Sequence, residues 1–219
     1  MRAMKLTAAL FAVLLASPVL LAQNPTVRIH AATVLDGTGT TLKNATIVVQ
    51  GSKITSIETG TAANATYELG SLTVLPGMID VHAHVGWHFD KDGRYAARPG
   101  SPAQEILYSA ENAYVTLLAG FTTLQSPGQA NDLELRDAIA RGVFPGPRIL
   151  TSIRQINERS GTGDEIRQQV RQLKADGADV VKIFASASIR DGGKQTMTDR
   201  KSTRLNSSHL RLSRMPSSA

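Results

Sequence analysis

From Met78 onward the sequence alternates short apolar runs with longer amphipathic ones, and this alternation constrains the fold more than any other feature. Met78–Val85, Phe121–Gln125, Arg148–Ser152 and Val180–Ala185 read as strands. Between them, Pro102–Ala119, Leu133–Arg141 and Asp164–Ala175 read as helices. The first of these places Ile106, Ala110, Ala113, Leu117 and Leu118 near one face. Ser101 is an N-cap with proline behind it, and Gly120 and Gly177 stand where left-handed C-terminal caps are expected. Strictly alternating β and α segments imply a parallel sheet with right-handed crossovers. Residues 76–198 are about half as long as the roughly 250 residues of an eight-stranded (β/α)8 barrel, so four strands make either half a barrel or a complete open α/β sheet.

The preceding stretch has a different texture. Val27–Val34, Ala45–Gln50, Lys53–Ile57 and Leu72–Leu75 read as strands. They are punctuated by Asp36-Gly37-Thr38-Gly39 and by the tight Gln50-Gly51-Ser52 connection. The expectation is a small antiparallel sheet over 23–75, with too few strands to be a comfortable domain alone.

Both ends stand apart from fold reasoning. Residues 1–22 carry Arg2 and Lys5, an apolar run and a small residue before Gln23, the pattern of a secretory signal peptide. A membrane anchor is the alternative, but Ser17 and Pro18 interrupt a run already short for a span. The chain is therefore expected to be exported, periplasmic or secreted, with no stable membrane anchor. Residues 199–219 have no apolar period and the composition of a basic disordered tail. They also resemble the conceptual translation of a sequencing adapter, and they are expected to be an adapter-derived artefact. The formal charge of +6 resides in these ends: Arg2 and Lys5 at one, and Arg200, Lys201, Arg204, Arg211 and Arg214 against Asp199 at the other. Residues 23–198 are electrically balanced, so no basic patch argues for a nucleic acid or an acidic membrane. With no cysteine, metal ligands are confined to His, carboxylate and modified Lys.

The chemistry concentrates at His82-Ala83-His84. On a strand, residues two apart point to the same face, so these present two imidazoles side by side. Neutral imidazole is the commonest protein metal ligand, and the pair falls near the C-terminal end of its strand, where parallel barrels place active sites. Asp80 lies on the same face but deeper, as a structural or supporting residue. Lys182 is a charge inside an apolar strand, which needs a partner, a purpose or a route to solvent. His88, Asp90 and Asp92 either line a pocket or are solvated loop residues. Ser160-Gly161-Thr162-Gly163 lacks the lysine and the preceding strand of a phosphate loop.

The segment Pro76-Gly77-Met78-Ile79-Asp80-Val81-His82-Ala83-His84-Val85 resembles the first barrel strand of the amidohydrolase superfamily. Those enzymes are metal-dependent hydrolases in which a small β-sandwich flanks a distorted (β/α)8 barrel. Val34-Leu35-Asp36-Gly37 and the run from Ala45 to Ile54 resemble the N-terminal half of the sandwich, and Gly120-Phe121-Thr122-Thr123-Leu124 resembles the second barrel strand. The nearest subgroup is imidazolonepropionase-like, with dipeptidase-like members. The resemblance implies an α/β fold comprising half a β-sandwich (23–75) and about four of eight strands of a TIM-like barrel (76–198).

It also implies a site. His82 and His84 become metal ligands, and Lys182 a third that, carboxylated by CO2, bridges two divalent ions, most simply zinc. The implied reaction is attack of a metal-activated hydroxide on the C–N bond of a small-molecule amide, lactam or dipeptide. Two further histidines and the proton-transfer aspartate are expected on later strands, so no catalytic residue is assigned here. The chain is expected to be an inactive piece of a longer enzyme, prone to aggregate alone, with its oligomeric state open. A non-catalytic exported α/β binding or interaction module is the alternative.

Overall fold

The computed structural model describes residues 25–60, 64–95, 101–129 and 131–198. The expected signal peptide and the 199–219 tail lie outside the described residues. The chain divides at Pro76 and Gly77 into two units, each with its own core.

The first unit is a sheet of β1 (Thr26–Leu35), β2 (Thr41–Gln50), β3 (Lys53–Thr59), β4 (Tyr67–Glu68) and β5 (Thr73–Val74). Strands run in the order β3-β2-β1-β4, with β5 also pairing β1. The first hairpin pairs Ile29 with Ile47 and Ala31 with Ala45, so apolar side chains share one register. Its turn is held by Asp36, whose carboxylate accepts from the backbone N–H of Thr38 and Thr40 and from the Thr38 hydroxyl. Ala31, Val34, Ala45 and Ile47 are buried, with Ile29, Leu42, Ile57 and Val74 packed against them. The sheet is mixed, where a purely antiparallel one was expected: β4 and β5 both run parallel to β1. The chain leaves β3 and crosses back before pairing again, and a crossover of this kind returns a strand in parallel.

The second unit contains the expected alternation: β6 (Met78–Asp80), α1 (Pro102–Leu118), β7 (Phe121–Ser126), α2 (Asp132–Ala140), β8 (Arg148–Thr151), β9 (Gln155–Ile156), α3 (Gly163–Ala175) and β10 (Lys182–Ile183). Strands β6, β7 and β8 form a parallel sheet in that order. The Ser101 hydroxyl accepts from the Gln104 N–H to start α1, with proline in its first turn. Gly120 and Gly177 adopt positive φ after α1 and α3 and stop them. Thr162 and Glu165 exchange side-chain and backbone hydrogen bonds as a capping box at the start of α3. Leu124 and Ile149 meet Val85, Ala113 and Leu135 in one core, while Ile156, Ile166, Val170, Leu173 and Met197 form a second.

Three expectations change. The first barrel strand stops at Asp80 instead of running to Val85. The Asp80 carboxylate accepts from the His82 N–H at 2.9 Å, bending the chain, although Ala83 still donates to the Gln125 carbonyl. The fourth strand shrinks to Lys182–Ile183 and pairs with β9, not with β8. Finally, Leu118 is 68% exposed. It lies five residues beyond buried Ala113, about 140° around the helix from it at 3.6 residues per turn.

Candidate metal centre

His82 and His84 stand just past the C-terminal end of β6, on a bend instead of on the strand itself. The turn begun by Asp80 nevertheless keeps the two rings together: their centroids lie 5.4 Å apart with planes inclined at 56°. The His84 ring stacks on the Trp87 indole at 4.2 Å, with the two planes almost parallel. That stack is built by a turn in which the Trp87 N–H donates to the His84 carbonyl.

Helix α1 holds the turn from one side. Asn112 donates its side-chain amide to the Val85 carbonyl at 2.8 Å and to the Trp87 carbonyl at 2.6 Å. Gly86 packs so closely on the Gln129 amide that a Cβ would overlap it. Gln129 is in turn fixed by donating to Glu105 on α1. An open cleft of about 260 Å³ results, lined among others by His84, Trp87, Phe89, Glu111, Asn112 and Val115.

Burial lowers the His84 pKa, and the neighbouring positive charges of His82 and Lys182 lower it further. Its imidazole is therefore held neutral near neutral pH, the form that donates a lone pair to a metal. The same interaction puts Lys182, half-buried at the start of β10, within electrostatic reach of His84. The Lys182 ammonium lies 5.0 Å from the Phe184 ring centroid. His82 and His84 lie at the end of β6, and Lys182 lies on the separate β9–β10 pair, close enough for its charge to act on His84.

The other candidates have local roles. Asp80 forms the turn at His82. Asp90 accepts from the backbone N–H of Asp92 and Arg94, closing a tight turn, and Asp92 pairs with exposed Lys91. His88 stacks on Tyr108 of α1 at 3.5 Å. In the first unit, His30 lies between Glu68 and Asn44.

The donor types suit a divalent metal: two adjacent imidazoles, one held neutral, and a lysine close by. The number of donors falls short of a full tetrahedral shell. Among the described residues there is no group of three His, Cys, Asp or Glu that could hold an ion. Sequence reasoning missed Trp87 and Asn112, which orient His84. It also missed Asp132, whose carboxyl is buried between β7 and β8 and pushed above the usual carboxylate range by that burial, against the hydroxyls of Ser126 and Thr151. No local sequence signal marked them: Asp132 sits among Asn131, Leu133 and Glu134 like any helix-start aspartate.

Comparison with known proteins shows what the fold resembles. No family model matches the chain. An imidazolonepropionase of Paenarthrobacter aurescens is 28% identical over 145 residues, covering 65% of this chain and 32% of its own length. The structure of a Xaa-Pro dipeptidase with bound methionine in its active site superposes with a TM-score of 0.71 at 25% identity, over 84% of this chain and 53% of that one. A solved amidohydrolase matches in fold with a TM-score of 0.67 at 20% identity, over 83% of this chain and 52% of its own.

These matches define a mixed α/β chain with the architecture of the corresponding part of those enzymes. The chain is similar to amidohydrolase-superfamily enzymes, with likeness to both an imidazolonepropionase and a dipeptidase. The chain spans about half the length of these solved structures and a third of the curated relative.

Proposed function

We propose that this chain supplies the first part of the metal centre of an exported amidohydrolase that cleaves the C–N bond of a small amide, lactam or dipeptide. The observation that carries the reading is the closeness of the His82 and His84 rings, with His84 favoured in its neutral form by burial and by the nearby charge of Lys182. The names of the relatives, an imidazolonepropionase and a Xaa-Pro dipeptidase, favour small C–N-bonded substrates.

In this reading His82 and His84 donate ring nitrogens to a divalent ion, most simply zinc. Trp87 and Asn112 keep the His84 ring in place, as partners behind a ligand do in metal sites generally. Lys182 in its neutral amine form attacks CO2, forming an N–C bond and releasing one proton. The resulting carbamate is an anionic oxygen donor able to serve two ions. When bound, such metals act as Lewis acids and lower the pKa of water toward 7. The remaining ligands and the proton-transfer aspartate are assigned to sequence beyond residue 198, so residues 23–198 alone are inactive.

Metal analysis of the full-length protein containing this sequence tests the reading. Two zinc ions per chain are expected, with loss of both dipeptide and lactam hydrolysis in His82→Ala. Full occupancy of two metals in Lys182→Ala would defeat the assignment of Lys182.

A further inference from the structure

We propose that Thr151, acting with Asp179 and Arg136, is the positioning residue that sets the place of Lys182. The inference rests on the reading of Lys182 as a carbamate-bearing ligand. Strand β10 takes no place in the sheet beside β8; it pairs with β9, a two-residue strand that follows a sharp turn after Thr151. That turn passes through Ile153 at φ +60°, a left-handed conformation that a β-branched side chain adopts only when its surroundings impose it.

Thr151 helps to impose it, beside the backbone hydrogen bond from the Arg154 N–H to the Ser152 carbonyl that spans Ile153. The Thr151 side chain is fully buried, and its hydroxyl accepts from the Ile153 N–H at 2.9 Å. The same hydroxyl donates to the buried carboxyl of Asp132 at 2.9 Å, which fixes its orientation. The backbone of Thr151 grips the segment leading into β10 at both of its polar groups. Its N–H donates to the Asp179 carboxylate at 3.0 Å, and its carbonyl accepts from Asp179 and Val180. Arg136 of α2 closes the clasp from outside, donating to Gly177 and to the Asp179 carboxylate. One residue therefore helps to shape the turn that leads into β9 and holds the start of the segment that β9 must receive. Lys182 follows three residues after Asp179, paired with Gln155.

The hydroxyl makes the Thr151 contribution to that turn, so Thr151→Val removes it at nearly constant volume and Thr151→Ser restores it. Both are made in the full-length protein. Two signals are read alongside the melting temperature: the carbamate resonance after labelling with 13C-bicarbonate, and hydrogen exchange at the Phe184 amide, which donates to the Ile156 carbonyl across β9 and β10. Thr151→Val is expected to lose the carbamate resonance and about tenfold of Phe184 protection, the scale of one buried hydrogen bond. Thr151→Ser is expected to recover both. If Thr151→Val does not fold, Arg136→Gln, which loosens only the outer side of the clasp, is expected to move both signals the same way by less. Wild-type Phe184 protection and wild-type carbamate in Thr151→Val, or in Arg136→Gln if that is the variant that folds, would overturn the proposal. A wild-type protein without any carbamate resonance would instead overturn the reading of Lys182, and the exchange at Phe184 would still decide whether Thr151 places β10.

Discussion

Removing the Asn112 side chain should loosen the metal centre without touching a ligand. In Asn112→Ala the Val85 and Trp87 carbonyls each lose a hydrogen bond, of 2.8 and 2.6 Å. Such bonds contribute about 1 kcal/mol each, and carbonyls near a surface cleft recover part of this by turning to water. The turn that presents His84 then loses about 1–2 kcal/mol of restraint. At about 1.4 kcal/mol per factor of ten, metal affinity should fall about five- to thirtyfold. This lies within the range found when partners behind metal ligands are removed, roughly 10–100-fold, except at its lower edge. The assay reads the site itself, because Trp87 lies against His84, and a Trp87→Phe control subtracts any other emission of the full-length protein. Zinc added to the full-length protein against a competing chelator is followed through the change in Trp87 emission, and bound metal is counted independently. Asn112→Ala should show weaker zinc binding and a red-shifted Trp87 emission before metal is added. Wild-type affinity together with unchanged emission would refute the claim that α1 holds His84 in place.

Two further outcomes concern protonation. His30 donates from both ring nitrogens, to Glu68 and Asn44, which raises its pKa, while the same contact lowers that of Glu68. The His30 contribution to sheet stability is fully present below about pH 6.5 and is lost as pH rises through the raised folded pKa; that of Glu68 is present above about pH 4.3 and is lost as pH falls through the lowered one. Urea unfolding should therefore show the pair at its most stabilising between those values, and a His30→Asn variant whose stability follows the wild-type pH profile would contradict this. In metal-free, CO2-free protein, where Lys182 is an ammonium, Lys182→Met should raise the His84 pKa, because that positive charge disappears while the burial of His84 remains. An NMR titration of His84 that does not move would place Lys182 out of reach.

The parts of this fold legible in the sequence are those set by local chemistry. Ser101-Pro102 opens a helix because a hydroxyl and a fixed φ suit its first turn, and Gly120 and Gly177 end two helices because they adopt a left-handed conformation cheaply. The alternation of apolar runs located every large strand of the second unit, and the His82–His84 spacing marked the end of β6 where the rings converge. Illegible were the features decided by a side chain reaching the backbone or by a distant partner. Asp80 looked like a residue within a strand, yet its carboxylate ends that strand two residues before His82. Strands β4 and β9 have two residues each, too short for any period to show. The pairing of Lys182 with Gln155 depends on Ile153 adopting a conformation that its own side chain disfavours, so local propensity argued against it. The clasp among Arg136, Thr151 and Asp179 joins residues 28 to 43 positions apart, and only the folded chain brings them together.

Strand β6 pairs on one side alone among the described residues, and it leaves Ile79 64% exposed beside Val81. Its other side is a row of backbone donors and acceptors flanked by apolar side chains, which is a template for any strand of matching length. This has a consequence for synthesis. The edge forms once β7 has been made and has paired with β6, and it stays open until a further strand covers it. Like edges on neighbouring nascent chains can compete for the same hydrogen bonds, so chaperone cover during synthesis bears on the yield of this protein.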